Sequence, residues 1–306
     1  MYTGGTAMSS THQEIEFQSE GATLRGRIFK ANNPESPLVV LAHGFSATAH
    51  MSVNAYAAGI AEAGYHVVAY DHRNFGASDG EPRFGFDQWT QVRGYSDAIT
   101  HALALEGVET TEVVVWGESM GGANVQYVAA FDPRVTGVIA HTPGCGETYV
   151  EPAADLNDFE ALKAYSTNGD LTEDPAAAIP VRFADLPTSE APVMLNFEAA
   201  LEYAKTYGQR NGSQWSNDVT IVVRKAPELS VPVVAAQLTV PTLYIVASDD
   251  EVAGASPAVA QQCFDTIAGP KAWEDIEGGH FGLLHEDSQL FQQALDADLS
   301  FLADHF

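Results

Sequence analysis

Basic residues are scarce in this chain: 14 lysines and arginines stand against 41 aspartates and glutamates, giving a formal net charge of −27 over 306 residues. Only five of the basic residues are lysine. Such a field repels the phosphates of nucleic acid and the headgroups of anionic membranes, which excludes both as partners. It suits a salt-rich medium and plain solubility equally, and it mildly disfavours highly anionic substrates. Cysteine is nearly absent. Cys145 and Cys263 lie far apart in the sequence and offer neither a disulfide framework nor metal-ligand spacing, so they read as buried or idle thiols in a reducing, cytoplasmic setting. No apolar run approaches the roughly 20 residues a membrane helix needs. The start, Met1–Gln13, lacks the basic flank and apolar core of a secretory signal and reads as a flexible tail.

What is present is a regular alternation of short buried strands and helices. Glu14–Phe17 and Ala22–Phe29 alternate in polarity as an antiparallel pair. Pro37–Ala42, Tyr65–Tyr70, Glu112–Trp116, Val135–Ala140 and Thr242–Ala247 are apolar on both faces, and Ala272–Ile276 supplies a last strand. Helical segments fall between them, at Ser52–Ala63, Phe86–Leu105 and Gly122–Ala130. Buried strands separated by helices imply a mostly parallel sheet covered on both faces.

The strand at Glu112–Trp116 runs directly into Gly117-Glu118-Ser119-Met120-Gly121, and a helix-like segment follows. This strand–turn–helix setting is what a G-x-S-x-G nucleophile elbow requires. The turn is sharp and crowded, so glycines flank the serine, and the Ser119 hydroxyl is held away from the sheet. The pentapeptide alone is weak evidence; its context and partners give it meaning.

One stretch breaks the rhythm. From 145 to 236 the βαβ alternation fails, while prolines, acidic residues and large apolar side chains are frequent. These are too many for a disordered linker. The stretch reads as a mainly helical cap or lid inserted into a core formed by residues 14–144 and 237–306.

These features together resemble an α/β-hydrolase over nearly the whole chain. His43-Gly44-Phe45 is similar to that family's HGx oxyanion motif, and Asp71–Gly80 to its D-x-R-x-x-G-x-S-x-G segment. The run Tyr70–Pro82, with Trp215–Thr220, resembles a branch holding bacterial hydrolases and fungal polyketide acyltransferases, bordering on dienelactone-hydrolase-like and X-Pro-peptidase-like proteins.

The remaining parts follow from chemistry and from the chain order serine, acid, histidine that the resemblance implies. A serine hydroxyl needs an imidazole to take its proton, and the imidazole needs a carboxylate to fix its tautomer. Asp249 and Asp250 both follow the strand ending at Ala247. The family's G-x-x-D spacing selects Asp250, although Ala247 replaces the glycine; Asp249 is the reserve. The alternative position, after Ala140, holds His141 and Thr142 and no carboxylate. His280, in Gly278-Gly279-His280-Phe281 after the last strand, is the expected base. The oxyanion donors implied are the backbone N–H groups of Phe45 and Met120. His43 is expected to brace its loop, and Arg73 and Asp79 to anchor theirs. Phe159, Phe183, Phe197, Tyr203 and Trp215 of the cap are candidates for an apolar substrate pocket.

The function this implies is hydrolysis of a small-molecule carboxylic ester, or related acyl bond, through an acyl-serine. The same triad serves an acyltransferase with an alcohol acceptor, a C–C bond hydrolase or a peptidase. A catalytically silent binding protein on the same fold is the reading from another class, and it has no need of all three triad residues. Neither a metal nor an organic cofactor is implied. A homo-oligomer is compatible with the sequence.

Overall fold

Valine, isoleucine and leucine fill five short strands on both faces, so these strands have no side to give to water and must lie at the centre of a covered sheet. The computed structural model describes residues 11–153, 156–171, 176–186 and 192–306. β1 (His12–Ser19) and β2 (Ala22–Phe29) open the fold, followed by β3 (Leu38–Ala42), α1 (Val53–Glu62), β4 (His66–Tyr70), β5 (Gly85–Phe86), α2 (Gln88–Leu103), β6 (Val113–Glu118), α3 (Met120–Phe131) and β7 (Gly137–His141). The irregular stretch contains α4 (Asn157–Asn168), β8 (Ala177–Ala184), β9 (Val193–Leu195), α5 (Glu198–Tyr203), β10 (Asp218–Val223) and α6 (Val231–Ala235). β11 (Thr242–Ala247), α7 (Pro257–Thr266), β12 (Lys271–Ile276) and α8 (Gln289–His305) complete the chain.

The main sheet has eight strands in the order β1-β2-β4-β3-β6-β7-β11-β12. β1 and β2 pair antiparallel, as does β2 with β4; every later pairing is parallel. Strand alternation sorts the core into two layers. Val113 and Val115 pack on the side of α2 and α3, whereas Val114 and Trp116 pack on the side of α1 and α8. α2 begins at Gln88 rather than Phe86, because Asp87 caps it by accepting from the Trp89 N–H (3.1 Å). Phe86 belongs instead to β5.

One expectation is corrected and another is extended. The tail was placed at residues 1–13, but His12 and Gln13 already pair in β1; residues 1–10 lie outside the described residues. The cap contains helices, yet it is built around strands as well. β8, β9 and β10 join β5 in a second sheet of order β5-β10-β8-β9. The β-branched run Asp218-Val219-Thr220-Ile221-Val222-Val223 carried a readable strand signal. β8 did not: it contains Pro180 and its first four residues are exposed, so no hydrophobic alternation marks it. Because β10 runs parallel to β5, with Thr220 opposite Gly85, the insertion is stitched onto the loop that follows β4. Among the described residues, no helix is long and apolar enough to cross a membrane.

Candidate active site

Ser119 sits between the last residue of β6 and the first of α3, with φ 57° and ψ −121°. A non-glycine residue in this region is strained and persists only where its surroundings fix it. The crowding explains Gly117: a Cβ there would lie 2.2 Å from the Gly121 carbonyl oxygen. Met120 is the first residue of α3, so its N–H belongs to the group of helix-start donors that have no intrahelical acceptor.

β11 and β12 are neighbours in the sheet, and the loops leaving their carboxyl ends meet. Asp250, after β11, places Oδ2 2.7 Å from Nδ1 of His280, which follows β12. Both side chains are buried. The other Asp250 oxygen, Oδ1, accepts from the Val252 N–H (2.8 Å). The His280 N–H in turn donates to Glu251 Oε2 (2.8 Å). Burial, the largest influence on His280, disfavours its charged form. The hydrogen bond and charge of Asp250, with Glu118 and Glu251 nearby, outweigh it and raise the imidazole pKa above its ordinary value. Asp249 does not take this place; its backbone N–H donates to the Gly278 carbonyl (2.9 Å).

The third loop is His43-Gly44-Phe45, after β3. His43 Nε2 accepts from the His72 N–H (3.2 Å), and its Nδ1 lies 3.0 Å from the Gly44 carbonyl. Burial pushes its pKa down to about 4, so it braces the loop as a neutral imidazole. The Asp71 segment beside it is fixed by the Asp71 carboxylate, which accepts from the Ala49 and Ala77 N–H groups (2.8 and 2.9 Å). Asp79 pairs with Arg25 (2.6 Å), while Arg73 donates to the Glu81 carbonyl (3.3 Å).

Ser119, His280, Phe45 and Met120 line one cavity of about 290 Å³. A hydroxyl and a carboxylate-held imidazole lining one cavity, near a helix start, are the parts needed to transfer a proton and stabilise a developing oxyanion. A model of the alpha/beta hydrolase fold matches residues 37–287. The chain belongs to the α/β-hydrolase fold family. It is 33% identical to the thiohydrolase aneE of Aspergillus aculeatus over 172 residues, 54% of each chain, so it spans about half the length of that relative. It is 25% identical to the acyltransferase drtE of Aspergillus calidoustus over 312 residues, 94% of each. The solved α/β-hydrolase GrgF of Penicillium sp. sh18 matches with a TM-score of 0.73 at 24% identity, covering 96% of this chain and 99% of that one. At that identity the likeness carries the fold alone.

The α/β-hydrolase core meets the insertion at this cavity, but not through all five expected aromatics. Phe183, Phe197 and Tyr203 line it. Phe159 does not: it is a buried residue of α4 that packs against Phe131 (6.1 Å between rings), in the core layer on the side of α2 and α3. Trp215 does not either. It stands behind Phe183 (5.7 Å, edge-on), and its indole N–H donates to the Ser46 carbonyl (2.9 Å). Glu118, Glu147, Glu251 and Phe281 are among the lining residues that the sequence does not single out. Glu118 lies inside the serine motif itself, so its position was legible even though its role was not. Among the described residues, no lysine or arginine lines the cavity.

The two cysteines, distant in sequence, are both buried, and they lie close enough to influence one another electrostatically. Burial and the neighbouring Cys263 push the Cys145 thiol well up, away from the reactive thiolate.

Proposed function

We propose that the protein is a serine hydrolase that cleaves a carboxylic ester, or a related acyl bond such as a thioester, through an acyl-Ser119 intermediate. His280 Nε2 takes the hydroxyl proton as Ser119 Oγ attacks the acyl carbon. Asp250 fixes the tautomer and stabilises the imidazolium. The N–H groups of Phe45 and Met120 receive the oxyanion. Collapse of the tetrahedral intermediate expels the alcohol or thiol, which takes the proton from His280. Water then enters, His280 activates it, and the carboxylic acid leaves.

The observation that carries this reading is the 2.7 Å Asp250–His280 contact, with His280 and Ser119 facing the same cavity. Substrate preference is assigned to uncharged, medium-sized acyl groups. The cavity walls include Phe183, Phe197, Tyr203 and Phe281, while the acidic side chains that line it are all glutamates. A cytoplasmic setting belongs to this proposal and rests on the paucity of cysteine.

The similarity to an acyltransferase over 94% of the chain favours a second reading, in which an alcohol replaces water. Turnover of p-nitrophenyl esters and acyl thioesters of graded chain length tests the first. Adding an alcohol separates the two, since a transferase yields the new ester in preference to the acid. No turnover of any acyl substrate would leave a silent binding protein.

A further inference from the structure

Glu118 ends β6, next to the nucleophile, yet its side chain is directed at a different loop. It is buried, and its Oε1 accepts the Gly44 N–H at 2.7 Å. Gly44 is a glycine because the end of β6 lies against it: a Cβ there would lie 2.6 Å from the Glu118 carbonyl oxygen, 2.8 Å from Glu118 Oε2 and 3.0 Å from the Ser119 Cβ. The carboxyl, the serine and the loop that carries Phe45 therefore converge on one point. Glu118 also lines the catalytic cavity with His280.

The groups around it leave few other roles. Tyr56 of α1, Tyr95 of α2 and Tyr203 of α5 surround the carboxyl electrostatically. Each hydroxyl is already engaged: Tyr56 donates to the Leu283 carbonyl (2.6 Å), Tyr95 to the Trp116 carbonyl (2.9 Å), and Tyr203 lies 3.2 Å from Ser52 Oγ. Among the described residues, His280 is the one group near it that gains positive charge, and His280 is faced by Asp250, Glu118 and Glu251.

We infer that Glu118 is a positioning residue for the reaction: its carboxyl anchors the Gly44–Phe45 loop to the nucleophile elbow, and its charge supports the imidazolium of His280. This rests on the serine-hydrolase reading above. Anchoring keeps the Phe45 N–H where the oxyanion forms, since a misplacement of about 1 Å costs on the order of a hundredfold in rate. The charge acts through space on the proton that His280 exchanges with Ser119. Burial raises the Glu118 pKa to about 7, against the pull of the Gly44 N–H and His280, and the Glu118 charge in turn helps raise the His280 pKa, so the two titrations are coupled.

Two substitutions separate the two roles. Glu118→Gln keeps the reach and an acceptor oxygen but removes the charge. Its plateau kcat should fall several-fold, because the imidazolium it supports forms in the transition state, while the acidic limb of its pH profile moves to lower pH. Glu118→Asp keeps the charge but is one methylene short. Its kcat should fall about tenfold or more with KM within about twofold, because the loop loses its anchor. NMR titration of the His280 imidazole reads the charge effect without a substrate, and a fall in pKa in Glu118→Gln is expected. An unmoved His280 titration, or a wild-type kcat in Glu118→Asp, would overturn the inference; if Glu118→Asp does not fold, the Glu118→Gln titration alone decides. Failure of the wild-type protein to turn over any acyl substrate would instead remove the enzyme reading, and the His280 titration would still test the contact.

Discussion

Asp250 and His280 come from loops that leave two adjacent parallel strands, and their side chains meet at 2.7 Å with both buried. That contact chooses between two neighbouring aspartates. Asp250→Asn, Ser119→Ala and His280→Ala should each lower kcat by roughly 10³-fold or more while the fold is retained, because the three act as one unit. Asp249→Asn should stay within a few-fold of wild type. Steady-state kinetics with circular dichroism on each variant checks this; the reverse ranking of the two aspartates would reassign the acid.

The pH dependence follows from the direction of the His280 shift. The base must be neutral to accept a proton, so activity is lost as pH falls through its pKa. The surrounding carboxylates raise that pKa above the ordinary imidazole value of 6.5, and the acidic limb of kcat/KM should therefore lie above that value. Asp250→Asn should bring the residual limb down. A pH–rate profile between 5 and 9 reads both.

The core was legible because its signals are local. The fully apolar runs at Leu38–Ala42 and Thr242–Ala247 leave no alternative to a buried strand, and the serine motif announces its own turn. His280 as the proposed base follows from the chain order that the resemblance implies, and Asp250 as the proposed acid from the family's G-x-x-D spacing. The contents of the cavity were not legible, since they depend on which face of the insertion turns inward. Phe159 and Phe183 look alike in sequence, yet one holds α4 to the core layer while the other lines the site. Long-range polar pairs were equally hidden. No local signal marks a partner for His141, and Asp298 reaches it from α8, 157 residues away.

That difference between aromatics gives a prediction on specificity. Phe183→Ala, Phe197→Ala and Tyr203→Ala should reshape the acyl-chain profile, each by about tenfold or more between the best and worst ester, since burying one such side chain is worth about 1.5–3 kcal/mol. Phe159→Ala should leave the profile unchanged and instead cost about 3–5 kcal/mol of stability through the cavity it creates. Profiling folded variants against graded p-nitrophenyl esters, alongside urea unfolding, separates the two effects.

The His141–Asp298 pair concerns stability rather than chemistry. Asp298 Oδ1 lies 2.7 Å from His141 Nε2, and its Oδ2 accepts the Trp116 indole N–H at 3.0 Å, all fully buried. Asp298→Ala would strand these partners in the core and should destabilise the protein by about 3 kcal/mol in urea unfolding. The folded fraction should keep its active-site chemistry, because neither residue lines the cavity.

The central claim is that Ser119 is a nucleophile activated by His280. Intact-mass spectrometry after exposure to a fluorophosphonate tests it most directly. One adduct per chain, mapped to Ser119, lost in Ser119→Ala and strongly slowed in His280→Ala, is the predicted result. A wild-type protein that stays unlabelled, or one labelled equally well without Ser119, would contradict it.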